Sequence, residues 1–363
     1  MVESGRPSIL IQVHFIQHST RLPHPLASTP ILDVCTLKGK DGPPKLNAAV
    51  SGENLALVIS SEYHWEGDLS VWNWRTGVKK GEVHVPEPRL GLFFLREDIL
   101  LNGNLTNMSL DVYRMSETNS MSCSGVKMEG NKNGINYIRL IHSFCLPQIK
   151  MDEYETIEIT FPSQPSFPLT SPQKTNLPFT SNPLSAVLLI EVIIRTDLCR
   201  EPWRTFTFIT HRHTLLDLII EAMDSPNQNS SEIKRVPWDA WGPHMTRMLA
   251  DDSTEDICYT ASTGTRCIWL HRPQLEVLDF GCYNLKPTLR ATVRRGVPVH
   301  LVNSESIYPI SAGPFTKDVL TYLPYISSRS LVGLENPWEG VFMDDERIVG
   351  FTRRALHILH LQP

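Results

Sequence analysis

Residues 69–77, LSVWNWRTG, follow an apolar, polar, apolar, large apolar, polar, apolar order and then enter a polar turn. This is the signature of a β-strand with two unlike faces closed by a tight connection. The order recurs in degraded form along the chain. Residues 110–115, LDVYRM, place Tyr113 where Trp72 stands, 41 residues later; 275–280, LEVLDF, and 356–361, LHILHL, keep it as well, and 213–218, HTLLDL, is a weaker copy. Taking the large apolar residue as the marker gives Trp72, Tyr113, Leu216, Leu278 and Leu359. The last interval, 81 residues, is close to two periods of about 40–45, the spacing of propeller blades. The residue after the marker is Asn73, Arg114, Asp217 or Asp279.

The expected fold is therefore all-β: a divergent seven-bladed β-propeller occupying residues 1–363 as one domain. Twenty-seven prolines and 20 glycines argue for short strands joined by turns rather than long helices. Three hairpins are readable: strand 205–210 with turn 211–213, strand 267–270 with turn 271–274, and strand 341–343 with turn 344–347. Residues 243–250, PHMTRMLA, are the one helical candidate. Residues 161–183 hold six prolines among Ser, Thr, Asn and Gln and read as a disordered insertion, with a shorter loop at 224–232. The last blade ends on what matches a third strand, which would leave an unpaired edge. The β-prone run 8–15, SILIQVHF, is expected to close the ring beside it.

Composition excludes several functions. A net charge of −5 lacks the basic excess of a nucleic-acid binder. The apolar run 186–194 is interrupted by Glu191 and too short to span a bilayer. Residues 1–17 carry no small-residue cleavage site, and seven scattered cysteines without a C-x-x-C suggest reduced thiols rather than disulfides or zinc. A monomeric protein of the cytoplasm or nucleus is expected, and the sequons at Asn104, Asn107 and Asn229 then mark exposed loops.

The segment 69–77 resembles the third strand of a WD repeat, in which a Trp-Asp pair precedes an apolar residue and a Thr-Gly turn. In that family the Asp accepts a hydrogen bond from a His near the start of the blade; here Asn73 replaces it, and no Gly-His pair lies upstream at the matching offset. Residues 236–249, VPWDAWGPHMTRML, 266–281, RCIWLHRPQLEVLDFG, and 340–351, GVFMDDERIVGF, resemble the C-terminal propeller-like region of a large set of fungal F-box proteins. The resemblance runs from about residue 46 to the end. It implies a substrate-holding propeller of a cullin-based ubiquitin ligase. The F-box that recruits the ligase has no counterpart here, since 14–26, HFIQHSTRLPHPL, offers one Leu-Pro without a helical run behind it.

Candidate chemistry is sparse. His211 and His213 have zinc-compatible spacing, but no third ligand is identifiable and a polar turn explains them. Asp344, Asp345 and Glu346 lack the spaced oxygens of a calcium loop, and Asp251 and Asp252 read as an exposed acidic loop. Arg290, Arg294, Arg295, Arg353 and Arg354 miss the Phe-Arg-Arg-Gly motif of phosphoinositide-binding propellers. No nucleophile elbow, phosphate loop or dinucleotide fingerprint occurs. No cofactor or metal is expected. The expected function is a non-catalytic protein-interaction platform, with Trp238, Trp241, Arg294 and Arg295 as candidate partner-binding residues and Trp203 beside them. The two tryptophans also suit a core. The competing reading is a propeller hydrolase or lyase with a central-channel carboxylate or metal.

Overall fold

The computed structural model describes residues 8–38, 44–61, 66–86, 91–116, 137–162, 183–196, 204–224, 233–251, 259–271, 274–281, 299–311, 313–331, 338–344 and 346–360. They fall into two compact units, Met1–Thr106 with Leu110–Ile141, and Asn107–Ser109 with His142–Pro363.

In the first unit, β1 (Ser8–His14) pairs antiparallel with β2 (Ile31–Lys38). A four-stranded antiparallel meander follows, in the order β3 (Pro44–Ser51), β4 (Asn54–Ser61), β5 (Glu66–Asn73) and β6 (Val78–Pro86). The next sheet takes β7 (Leu92–Arg96), β8 (Ile99–Asn104), β9 (Ser109–Ser116) and β10 (Tyr137–Cys145) in the same order. The inner strands β4 and β8 are near-continuous buried runs: Leu55 to Val58 and all six residues of β8 are covered. A strand buried on both faces loses the apolar–polar alternation, and β4 and β8 show that loss.

The second unit repeats the arrangement with insertions. Strands β11 (Tyr154–Thr160), β12 (Val187–Thr196) and β13 (Arg204–His211) form an antiparallel run. After β13 come α1 (Arg212–Met223), β14 (Lys234–Val236) and α2 (Trp238–Met245), and only then β15 (Thr246–Asp251), which completes the sheet beside β13. β14 instead pairs in parallel with residues 142–144 of β10. A third sheet holds β16 (Tyr259–Thr263), β17 (Arg266–His271), β18 (Gln274–Asp279) and β19 (Val299–Val302). Beyond a β20 (Ser306–Tyr308) and β21 (Val319–Thr321) hairpin, β22 (Tyr325–Leu331) inserts between β18 and β19. The last sheet is β23 (Gly340–Met343), β24 (Arg347–Phe351) and β25 (Leu356–His360).

These three sheets stack face on face. Val187, Leu189, Ile209 and Leu249 meet Cys267, Leu278 and Phe280 across one interface; Ile268, Leu270 and Leu275 meet Trp338, Val341, Met343 and Ile348 across the next. Consecutive antiparallel meanders stacked in this way are what propeller blades require. Burying the seven side chains named at either interface contributes on the order of 10 kcal/mol before chain entropy is counted.

Several expectations are corrected. Residues 213–218 are not a strand: Asp217 lies exposed on α1, because Leu215, Leu216 and Ile219 recur at helical spacing and all three are buried. The turn expected at 211–213 is therefore the junction of β13 with α1. The helical candidate at 243–250 is displaced toward the N-terminus as α2, which holds Pro243 inside it, and Thr246 onward is strand. The run 8–15 supplies β1, which pairs with β2 along its length. Asn104 is not in an exposed loop but buried, its amide donating to Asp111 Oδ2 at 2.8 Å. The hairpins at 271–274 and 344–347 are found as expected. Of the insertion at 161–183, residues 163–182 lie outside the described residues, as do 225–232.

Candidate functional site

The blade markers show what the repeated pattern does. Trp72 packs in a cluster with Leu32, Leu55 and Leu57, while Tyr113 and Leu278 are fully buried and Leu359 is exposed on β25. Asn73 Oδ1 accepts the N–H groups of Arg75 and Thr76 at 3.0 and 3.1 Å and so holds the turn out of β5; Gly77, at φ +73°, completes it. Asp279 has the same task after β18, accepting the N–H of Gly281 at 2.9 Å and the Thr265 hydroxyl at 3.1 Å. The polar residue after the marker is thus a turn acceptor in both sheets, and an amide serves as well as a carboxylate.

Chemistry that could act on a ligand gathers instead around α2. Pro237 precedes the helix with extended backbone, its fixed φ leading directly into the first turn, and Asp239 stands near the positive end of the helix dipole. Trp238 and Trp241 cross edge to face at 5.3 Å. Trp238 meets Phe208 of β13, while Trp241 meets Phe144 of β10 and donates its indole N–H to the Cys145 carbonyl at 2.9 Å. Gly242 permits this: a Cβ there would lie 2.3 Å from the Trp238 ring. Trp241 is thus core, 1% exposed, and Trp238 is nearly so at 9%.

Trp238 lines an open cleft of about 240 Å³, with Leu146, Pro147, Pro237, Phe315 and Val319 beside it. The facing segment is held rigidly. Thr316 N–H donates to the Gln148 carbonyl at 2.9 Å, Lys150 N–H to the Pro314 carbonyl at 2.8 Å, and Phe315 is clasped by Phe206 and Tyr308. Asp318 Oδ1 accepts the Ile310 N–H at 2.7 Å. Lys317 and Asp239 stand on opposite lips, 3.8 Å apart and about four-fifths exposed. An exposed pair so loosely held contributes little to stability and is free to exchange its partner for a ligand's.

Cofactor pockets run from about 300 Å³ upward, so this cleft has room for one or two side chains. Its apolar floor and split charge at the rim suit a peptide anchor. Among the described residues no group of three or more His, Cys, Asp or Glu side chains is placed to hold a metal ion. His211 and His213 lie with ring centroids 5.2 Å apart, and burial pushes the His211 imidazole below its ordinary range, with His213 adding to the effect. Arg353 pairs with Glu339 at 3.0 Å. Trp203, Arg290, Arg294, Arg295, Asp252 and Asp345 lie outside the described residues. Sequence reasoning reached Trp238 but missed Lys317, Phe315 and Val319, which sit about 80 residues away in a segment without local pattern. The segment 236–241, VPWDAW, was the available signal.

The described residues thus form consecutive antiparallel meanders, with a side-chain acceptor holding the turn after β5 and after β18. No protein-family model matches the chain, and no curated protein does. Among solved structures, the WD40 domain of SCAP from fission yeast is 11% identical over 83% of this chain and 63% of its own, with a TM-score of 0.30. This chain therefore spans about 63% of the length of that domain. Hsv2p of Kluyveromyces lactis is 12% identical over 69% of this chain and 73% of its own, TM-score 0.24; hydrazine synthase of Kuenenia stuttgartiensis is 9% identical over 84% and 92%, TM-score 0.19. Likeness at this level assigns no function.

Proposed function

We propose that this chain is a divergent seven-bladed propeller that serves as a non-catalytic platform for protein partners in the cytoplasm or nucleus. The observation that carries the reading is the cleft between Trp238 and Phe315, too small for a cofactor and sized for a peptide side chain, with Lys317 and Asp239 at its rim. Partner peptides seat an apolar residue on Trp238 and Val319 and offer charges to the two lips. The finer reading rests on the resemblance of 236–249, 266–281 and 340–351 to fungal F-box propellers: the partner is a protein destined for ubiquitin-linked turnover, and the ligase-recruiting module is supplied by another chain.

Quantitative affinity capture with mass spectrometry tests both levels, using the intact chain against Lys317→Glu and Val319→Glu. Partners depleted at least fivefold by both variants are the expected result. Cullin-ligase subunits among the proteins that both variants retain support the ubiquitin reading. Identical partner sets for all three proteins would overturn the cleft as the recognition site.

A further inference from the structure

The rim of the α2 cleft is unequal in charge. Asp239 stands on one lip, Lys317 and Asp318 stand together on the other, and all three are exposed. Among the described residues lining the cleft, two carboxylates against one ammonium leave one negative charge in excess. Lys317 reaches Asp239 only at 3.8 Å, and Asp318 turns Oδ1 to the Ile310 N–H at 2.7 Å. The apolar lining adjoins these charges in the chain itself. Trp238 directly precedes Asp239, and Val319 lies two residues beyond Lys317; both are buried.

A ligand that matches such a site carries its cation and its apolar group within one residue. A lysine or arginine inside a chain does not, because its charge sits at the end of a long stem that leads away from the neighbouring side chain. The first residue of a polypeptide does, since its α-ammonium and its side chain spring from one Cα. Resting on the peptide reading above, we propose that the cleft receives the free N-terminus of a partner protein. An apolar first side chain enters beside Trp238 and Val319, the α-ammonium pairs with Asp239, and an acidic second residue pairs with the Lys317 so released. The exchange costs little, because an exposed, loosely held lysine trades one carboxylate for another. A C-terminal carboxylate, the opposite chain end, meets the excess negative charge instead and is disfavoured.

The probe is a seven-residue peptide that opens leucine-glutamate and runs through glycine and serine to a C-terminal fluorescein, read by anisotropy against the full chain. Acetylating its N-terminus should weaken binding at least tenfold, and one glycine added ahead of the leucine at least fivefold. Asp239→Asn should weaken the free peptide at least fivefold and leave the acetylated one within twofold. Replacing the peptide's glutamate by lysine should turn the effect of Lys317→Glu from a loss into a gain. An α-amine titrates at about 7.7–8.0, well below the roughly 10.4 of a lysine side chain, so affinity should fall at least fivefold between pH 6.5 and pH 9. Equal binding of the free and acetylated peptides overturns the proposal. If both are then weakened fivefold by Lys317→Glu, the cleft remains the recognition site and only its preference for a chain end is lost. An affinity indifferent to pH over that range, or no saturable binding by any of these peptides, overturns it as well.

Discussion

The Glu191 carboxylate of β12 accepts a hydrogen bond from the Thr260 hydroxyl of β16, tying one sheet of the second unit to the next. Its other oxygen accepts from Thr160 at 3.4 Å. Burial is the dominant influence and raises the carboxyl above its ordinary 4.5, and the two hydroxyls only partly oppose that. A carboxyl whose folded pKa is raised binds protons more readily folded than unfolded. Its contribution to stability is thus fully present below about 4.5 and declines as pH rises through the folded value.

Glu191→Gln should therefore raise the melting temperature at pH 7.5 by about 2 °C and leave it unchanged near pH 4, because the amide keeps an acceptor for Thr260 without a charge to bury. Differential scanning calorimetry at the two pH values checks this. A loss of stability at pH 7.5 would mean that the ionised form is what the interface prefers.

Gly242→Ala should cost roughly 1–3 kcal/mol, the range for overpacking, since the new methyl meets the Trp238 ring rather than a side chain able to swing away. Tryptophan emission should shift to the red along with a lower urea midpoint. An unshifted spectrum would show that the ring was not displaced.

Asn73 makes two kinds of contact that an aspartate could not combine. Its amide nitrogen donates to Glu53 Oε2 at 3.1 Å while its oxygen holds the turn. Asn73→Asp keeps the acceptor but sets two carboxylates together, and should lose about 1 kcal/mol in 20 mM salt, less at 0.5 M. The loss should vanish in the Glu53→Gln background. Additive effects in that double-mutant cycle would contradict the pairing.

Arg247 is 2% exposed and donates from Nε to the Leu323 carbonyl at 2.9 Å and from Nη2 to the Ser304 carbonyl at 3.0 Å, with its guanidinium over Tyr325. Lysine offers a single point donor where the planar fork reaches two carbonyls. Arg247→Lys should accordingly cost about 2–3 kcal/mol by urea denaturation, and a variant within 0.5 kcal/mol of wild type would refute the role.

What was legible in the sequence follows from the range of the forces involved. Strands β5 and β18 announce themselves because their alternation and their turn acceptors are local, and β9 does so by its alternation alone. The run 213–218 misled because Leu215, Leu216 and Leu218 match the marker order of β5, whereas the helical set Leu215, Leu216 and Ile219 extends beyond it and is what the core beneath α1 buries. Nothing near Trp238 names Phe315 or Val319. Their meeting depends on the backbone bonds of residues 148–150 to residues 314–316, and such distant pairings leave no periodic trace in the chain.

The parallel pairing of β14 with β10 bears on the order in which the second unit assembles. His142 meets Lys234 across some ninety residues, whereas β17 and β18 close over two. Loop-closure entropy for the longer circuit exceeds that of the hairpin by about 3 kcal/mol, so this contact cannot nucleate folding. It forms once β11, β12 and β13 have shortened the path. The ribosome also delivers β10 long before its partner, and until β14 arrives residues 142–144 leave an edge uncovered. The α2 cleft, anchored to the end of β10 through Trp241 and Cys145, is consequently among the last features of the molecule to appear.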